Sequence, residues 1–551
     1  MQRGFNVAME QCCERHKIDI EKWGFVLFLV FMTCYYGWRM FALTPWYDEL
    51  YTYYYFISRG PVYAAIHWPL PNNHIGYSVL SAFLGFLGNP VIALRGISYL
   101  SSLGSLVLLF VISRQCFGRG MALIPVFIYA GMKIVNQLAV QGRGYALVTF
   151  CYLLSIHALF HIISGQRMLL RDHLLFGGSL ILMLYAIPSS VYAVVPVCLA
   201  GGVSLVIQRK YSSLVRLILT SLASAVCTLG LYGIVWLAIG SNLLVKTEGS
   251  SYYGMGHVSA LLQAPFDALG AGIEYMLATP YIQSVGREGF MHKFIDWQRN
   301  MLNEYYMGGA VLLAMLSALC VIILLYRLLR DLRHGVYMPE KTVQDRGRIM
   351  EIFLIVNFLC IPFMLFLQCS LPYYRVFSFA GVILAFAAAW LVKYLAECLL
   401  HGLGEQTDRR RSMWKYLPGT ASVLCGILCV TLLFSASYMA QYSDRESAIE
   451  DAYAQVDWEQ VERVAVTDCD QEYLLLFLNG IGPERITQQP KEADIVLADK
   501  YLLLGTEMSD TGFDPTGDAW KLYLSETEFT RFLEEANLSA VYENDRFILF
   551  E

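Results

Sequence analysis

Long apolar runs broken by short charged turns dominate this chain. A membrane-crossing helix needs roughly 20 mostly apolar residues. By that measure about 11 stretches qualify: 23–43, 92–112, 121–139, 144–163, 174–188, 190–207, 217–239, 306–326, 350–369, 374–395 and 417–437. The run 174–188 is short and stops at Pro188-Ser189-Ser190, so 174–207 is the place where the count is least fixed. Residues 74–88 are also apolar, but few and rich in glycine, and read as a re-entrant or surface-lying helix. The pattern predicts a mainly α, polytopic helical bundle with surface helices in its first outer loop.

After residue 437 the period changes. Val464-Ala465-Val466 and Ile495-Val496-Leu497 read as short buried strands, and Gln471–Leu478 and Glu526–Glu535 as helices. Ala540-Val541-Tyr542 and Phe547-Ile548-Leu549 read as a hairpin across Glu543-Asn544-Asp545. Residues 438–551 are therefore expected to form a small α/β domain. It carries no glycine-rich phosphate loop, nucleophile elbow or metal-ligand spacing, and is assigned no chemistry.

Lysine and arginine give the orientation. One set of connections holds Arg15, Lys17 and Lys22, then Arg114 and Arg119, Arg167 and Arg171, and Arg209, Lys210 and Arg216. It continues through Arg327, Arg330, Arg333, Lys341, Arg346 and Arg348 to Arg409, Arg410, Arg411 and Lys415. The alternate set is much poorer. The expected topology has residues 1–22 in the cytoplasm, a transmembrane module over 23–437, and the domain 438–551 outside. Loops 44–91 and 240–305 then also face outward, the second with an amphipathic helix near 258–278. The first apolar run ends in Gly37-Trp38-Arg39-Met40, which is no small-residue cleavage site, and reads as a retained span.

Composition narrows the class. Of 551 residues, 56% are hydrophobic and 15% charged, against about a quarter charged in soluble domains. A net charge of −5 gives no sign of a nucleic-acid partner. Most of the 14 cysteines lie inside apolar runs, where Cys acts as a small hydrophobe.

Candidate chemistry gathers in Thr44 to Tyr77. Polar groups this costly beside a membrane point to use. Thr44-Pro45 is a good helix start, and it places Asp48 in or near the first turn, where the positive helix end favours negative charge. Asp48, Tyr51, Thr52 and Tyr55 share one helical face. Asp48 is suited to accept a proton from an acceptor hydroxyl; the plain alternative is a cap, or a pair with Arg59. Glu49 points about 100° away and is expected to pair with an arginine or orient the loop. The aromatic run reads first as an interface belt and second as a sugar-stacking surface. Pro71-Asn72-Asn73-His74 precedes an apolar helix whose free N–H groups suit phosphate, or it forms a simple cap and turn. Arg143 and Arg375 sit in short outer turns, where a guanidinium can grip phosphate or snorkel to headgroups. His157 and His161 are i and i+4 on one span, without an accompanying carboxylate. They read as bundle contacts, and no dedicated metal cluster is seen.

Four motifs in order carry a resemblance. They are Tyr47-Asp48-Glu49 in the first outer loop, and Pro71-Asn72-Asn73-His74 before the next membrane helix. Then come Arg95-Gly96-Ile97 opening a span that ends Arg114-Gln115-Cys116-Phe117-Gly118, and Gln141-Gly142-Arg143-Gly144-Tyr145-Ala146-Leu147 opening another. In this order and topology the chain resembles the type-C membrane glycosyltransferases, specifically bacterial relatives of protein O-mannosyltransferases and lipid A aminoarabinose transferases. The resemblance is clearest over residues 20–210. It implies an inner-membrane enzyme that moves a sugar from a polyprenyl-phosphate donor to a lipid, polysaccharide or protein acceptor on the outer face, usually with inversion. It implies Asp48 as the base or acceptor-orienting residue, with Glu49 beside it in the catalytic set. Arg143, Arg375, His74 and Asn73 would hold the donor phosphate, and Tyr51, Tyr55 and His67 would line the substrate site. His67 and His74 would stand in for a basic residue that many relatives carry before the second membrane helix. No cofactor is evident.

Two other classes compete. A transporter or flippase of a lipid-linked sugar would need ionisable groups at mid-membrane, for which Lys133 and Asn136 are the candidates. A catalytically silent glycan-binding relative would turn Asp48 away from any cleft.

Overall fold

The computed structural model describes residues 19–551 except 68–72, 166–168, 279–284, 334–345, 403–416, 442, 467–470, 488–492, 501–530, 532–533 and 535–538. Pro71, Asn72, the expected helix Glu526–Glu535 and several of the orienting Lys and Arg residues lie wholly or largely outside the described residues.

α1 (Ile20–Ala42) starts on an Asp19 cap. The short helices α2 (Tyr47–Tyr55), α3 (Pro61–Ile66) and α4 (Ile75–Leu84) follow. α5 (Pro90–Phe117) begins with an Asn89 cap and proline in its first turn, the preorganised way to open a helix. Then come α6 (Leu123–Ala130), α7 (Lys133–Leu138), α8 (Tyr145–Ser164), α9 (Leu170–Ala186), α10 (Val191–Ile207) and α11 (Tyr211–Lys246). α12 (His257–Gln263) and α13 (Pro265–Ala278) replace the single amphipathic helix expected near 258–278. The chain continues through α14 (Phe290–Tyr305), α15 (Ala310–Arg333), α16 (Arg346–Gln368), α17 (Ala380–Gly402) and α18 (Leu417–Leu433).

Among the described residues, eight helices are long and apolar enough to cross a membrane: those containing α1, α5, α8, α10, α11, α15, α16 and α17. The other three expected spans are helical but differ in form. α9 and α18 each have 17 residues. The stretch 121–139 breaks at Gly131-Met132 into α6 and α7. Free backbone groups are costly inside a bundle, and here they find partners. Asn136 Nδ2 donates to Ala130 O (2.6 Å) and Met132 O (2.7 Å), and Tyr438 Oη donates to Gly131 O (2.7 Å). Asn136, the mid-membrane candidate for a transport role, thus stitches a helix break.

α11 and α13 pack backbone to backbone. A Cβ at Gly240 would fall on the carbonyl of Ala268, and one at Gly272 on that of Trp236. Small residues permit this approach. The pair stands beside α4, where Ile75 packs with Tyr232, Val235 and Ile239.

The C-terminal part adds α19 (Ala436–Met439), α20 (Asp444–Tyr453), β1 (Val464–Val466), α21 (Gln471–Leu478), β2 (Ile495–Asp499), β3 (Ala540–Glu543) and β4 (Phe547–Phe550). The sheet order is β1-β2-β4-β3, with β1 and β2 parallel and the rest antiparallel. Its core does not end at the sheet. Tyr54 of α2 meets Phe477 and Tyr473 of α21 with ring centroids 4.8 and 5.7 Å apart. The aromatic run of the first loop is therefore a docking face for this sheet and its helices.

Gly240→Ala should push α11 and α13 apart and cost about 1–3 kcal/mol. Gly230→Ala, whose Cβ meets open space, should be neutral or slightly stabilising. Thermal unfolding of the detergent-solubilised protein compares the two.

Candidate active site

α2 starts at Tyr47 rather than at Thr44-Pro45. The Thr44 hydroxyl is drawn away by Glu450 of α20, to which it donates, and the Thr44 N–H donates to Gln441 Oε1 (3.0 Å). Capping falls to Glu49 instead, whose Oε2 accepts the Trp46 N–H at 3.0 Å.

Glu49 does more than cap. It meets Arg95 in a two-pronged ion pair, Nε to Oε1 at 2.8 Å and Nη2 to Oε2 at 3.0 Å. Both side chains are shut away from water, at 0% and 1% exposure. Glu49 Oε1 also accepts the Gly142 N–H (2.6 Å), and Arg95 Nη1 donates to Met40 O (2.8 Å) and Leu43 O (2.6 Å). One ion pair thus joins the end of α1, the start of α2, α5 and the 141–144 turn. Buried charge persists only when paired and hydrogen-bonded in this way.

Asp48 points to the other side. Its Oδ2 lies 3.0 Å from Arg375 Nη1, with the side chains 15% and 18% exposed. Arg59, the partner weighed from sequence, lies instead over the rings of Tyr54 and Tyr63. Arg375 is held among Tyr373, Trp46 and Tyr145, whose ring centres are 5.0, 5.1 and 5.9 Å from its guanidinium carbon. Trp297 Nε1 braces its turn by donating to Pro372 O (2.8 Å).

Arg143 reaches the same place from the 141–144 turn. Its Nη1 donates to Thr52 Oγ1 (2.7 Å) and Asp48 O (3.4 Å), and its Nη2 is 3.3 Å from His74 Nε2. The Gly144 N–H donates to His74 Nδ1 at 3.0 Å. Burial first, and then the charges of Arg143 and Arg375, push the His74 imidazole well below its ordinary pKa. The neutral ring with Nδ1 accepting carries its proton on Nε2. Two donors, His74 Nε2 and Arg143 Nη2, therefore stand side by side, an arrangement of the kind that suits an anionic oxygen.

The remaining sequence candidates lie around this centre. Asn73 spends its amide on the loop: Nδ2 donates to Ala64 O (3.0 Å) and His67 O (3.1 Å), and Oδ1 accepts from Ser78 Oγ (2.8 Å). Tyr51 and Tyr55 are buried and pack on each other, ring centres 4.3 Å apart. His67 lies against Tyr63 at 4.4 Å. His157 and His161 are neighbours at 4.7 Å within α8. Thr52, Trp46, Tyr145 and Trp297 were not singled out as site residues by the sequence; only the i, i+4 relation of Asp48 and Thr52 hinted at the first.

An apolar cavity of about 400 Å³ begins beside this centre. Phe377, two residues on from Arg375, lines it together with Trp297, Tyr305, Asn357 and Pro362, between α14, α15, α16 and the start of α17.

No protein-family model matches the chain, and no curated protein matches it in sequence. Solved structures do. The crystal structure of ArnT from Cupriavidus metallidurans bound to undecaprenyl phosphate superposes with a TM-score of 0.50 at 12% identity, over 96% of this chain and 98% of that one. The apo form of the same protein gives 0.49 at 12% identity, over 96% and 97%. The oligosaccharyltransferase AglB from Archaeoglobus fulgidus gives 0.40 at 13%, over 87% of this chain and 70% of that one. At such identity the ArnT likeness shows the fold alone: the chain shares the architecture of that structure along nearly its whole length.

Two outcomes follow from the geometry. Glu49→Gln should strand the Arg95 charge and cost about 3–5 kcal/mol, while Asp48→Asn, at a partly solvated pair, should cost under about 1 kcal/mol. Thermal unfolding separates them. His74 is held neutral in the folded state, so below about pH 6.5 the unfolded chain binds more protons. Stability should fall as pH is lowered through that value. His74→Gln should flatten this component, seen as a smaller Tm difference between pH 7.5 and pH 5.

Proposed function

We propose that this protein is a membrane glycosyltransferase that moves a sugar from a polyprenyl-phosphate donor to a nucleophilic oxygen of an acceptor. The observation that carries this reading is the meeting of Asp48 with Arg375, Arg143 and His74, next to an apolar cavity that is lined by Phe377 and Trp297 of the Arg375 turn and its brace. A carboxylate, a cluster of anion-seeking donors and a greasy channel are the three things that such a donor and its acceptor need.

In this reading the donor tail lies in the cavity between α14, α15, α16 and α17. Its phosphate sits against Arg143, His74 and Arg375; a guanidinium has five donors and can face a carboxylate and a phosphate together. The acceptor oxygen attacks the anomeric carbon as Asp48 takes its proton. The bond from that carbon to the phosphate oxygen breaks, and the electron pair leaves on the phosphate. The developing charge there is met by fixed donors. Attack opposite the leaving group inverts the anomeric carbon. Glu49 serves as a positioning residue that sets the rotation of α2. Tyr51, Tyr55, His67 and Asn73 shape the acceptor side through the loop they pack. In this reading the Asp48 end faces outward, with the N-terminus in the cytoplasm, an orientation that the Lys and Arg distribution supports.

The test uses purified full-length protein in nanodiscs with a panel of radiolabelled polyprenyl-phosphate sugars and candidate acceptors, following release of polyprenyl phosphate. Wild type should release it, and Asp48→Asn should slow release about 10²–10⁴-fold while still binding donor. Arg143→Gln and Arg375→Gln should weaken donor binding. Donor binding without release by any of these proteins would move the assignment to transport or glycan binding.

A further inference from the structure

We propose that the C-terminal part of the chain is built into the catalytic centre, and that Thr44 and Glu450 are positioning residues that place Asp48 through the first turn of α2. The proposal rests on the transferase reading. It starts from the length of α2. Nine residues are few for a helix, since even about 12–15 are marginal without outside support. Helix ends also fray before helix centres, and Asp48 stands in the first turn. Its place is therefore decided by what holds the helix from outside.

The Glu49–Arg95 pair sets the rotation of α2. The approach to its first turn is held from the far end of the chain. The Thr44 N–H donates to Gln441 Oε1 (3.0 Å), and Gln441 Nε2 donates to Ala42 O (3.4 Å), so one amide bridges the linker between α1 and α2. The Thr44 hydroxyl, in a residue 3% exposed, donates to Glu450 Oε2. Glu446 lies one turn before Glu450 on the same face of α20. It is buried, and its carboxylate faces the backbone N–H of Tyr47, the first residue of α2. An N–H at that position has no partner within its own helix.

α20 is in turn fixed to the sheet. Ala448 O accepts from Asn544 Nδ2 (2.8 Å), and Arg445 Nε lies 3.3 Å from Oδ2 of the buried Asp499, which Arg546 Nε meets at 3.1 Å. Further along, α2 leans on α21, with the rings of Tyr53 and Tyr54 centred 6.0 and 4.8 Å from that of Phe477. Leu50 and Tyr54 thus share one apolar core with Val464, Leu475 and Leu497. Asp48 sits between these two holds, one at Thr44 and Tyr47 and one at Tyr53 and Tyr54, and Arg375 takes its carboxylate on the open side.

The experiment takes full-length protein in nanodiscs and pairs two readouts: release of polyprenyl phosphate from the radiolabelled donor panel, and deuterium uptake by the α2 amides. Thr44→Val keeps the volume and removes the hydroxyl, and Glu450→Ala removes the acceptor. Each should lower kcat about 10–10²-fold and leave the donor KM within about twofold. Each should also speed exchange over 47–55 about tenfold. The double variant should be no slower than the worse single one, because both remove the same bond. Thr44→Ser, which keeps the hydroxyl, should return both readouts to near wild type. Glu459→Gln, at an exposed position of the same part of the chain, should change neither. Wild-type kcat in both Thr44→Val and Glu450→Ala would overturn the proposal. So would faster exchange spread evenly over the C-terminal strands without rescue by serine, the pattern of a packing contact and nothing more. If wild type releases no polyprenyl phosphate, the transferase reading falls and exchange alone decides the hold on α2; unchanged uptake over 47–55 in both variants ends it.

Discussion

Everything at the Asp48 end depends on one buried ion pair. Glu49 and Arg95 have no water to fall back on, so each must keep its full set of partners or pay several kcal/mol. Those partners are the backbone of Met40 and Leu43, the N–H of Trp46 and the N–H of Gly142. The pair is therefore a joint with four members, and α2 cannot rotate without breaking it. Adjacent residues on a helix differ by about 100°. With Glu49 fixed inward, Asp48 is fixed toward Arg375, and Thr52 toward Arg143. Two neighbouring carboxylates receive opposite jobs from one rotation.

The same economy appears around the arginines. Arg375 comes from a turn that would be loose on its own. Trp297 holds its backbone, and three aromatic rings surround its guanidinium. Arg143 is held by Thr52 and by the main chain of Asp48. Both cations are thus held in place by the protein's own groups and have little freedom left to lose. His74 adds a donor without adding charge, because its burial, and then its two cationic neighbours, keep it neutral.

How much of this was legible in the chain depends on the length scale of the signal. The spans are carried by apolar runs of some 20 residues and stood out, as did the strands Val464–Val466 and Ile495–Asp499. The break at Gly131 was hidden because an apolar run looks the same whether or not its backbone bonds are continuous; the repair is made by Asn136 nearby and Tyr438 far away. Asp48, Glu49, Arg143, Arg375 and His74 could be picked as costly groups beside a membrane. Which arginine meets which carboxylate could not, since Arg95 and Arg375 are equivalent to any local rule. The aromatic run of α2 was ambiguous for the same reason: tyrosines at a water interface look alike whether they face lipid, sugar or, as here, Phe477 and Tyr473.

The clamp between Thr44 and Glu450 has a consequence for biogenesis. These residues are 406 positions apart. At about 5–20 residues per second of synthesis, the ribosome delivers Glu450 roughly 20–80 s after Thr44. Arg95 follows Glu49 by 46 positions, so the buried pair can close while most of the spans are still unmade. The loop bearing Asp48 thus gains its inner anchor early, and its outer one only when the last part of the chain emerges. A nascent chain therefore carries α2 fixed at Glu49 but open at Thr44 until Glu450 has been made.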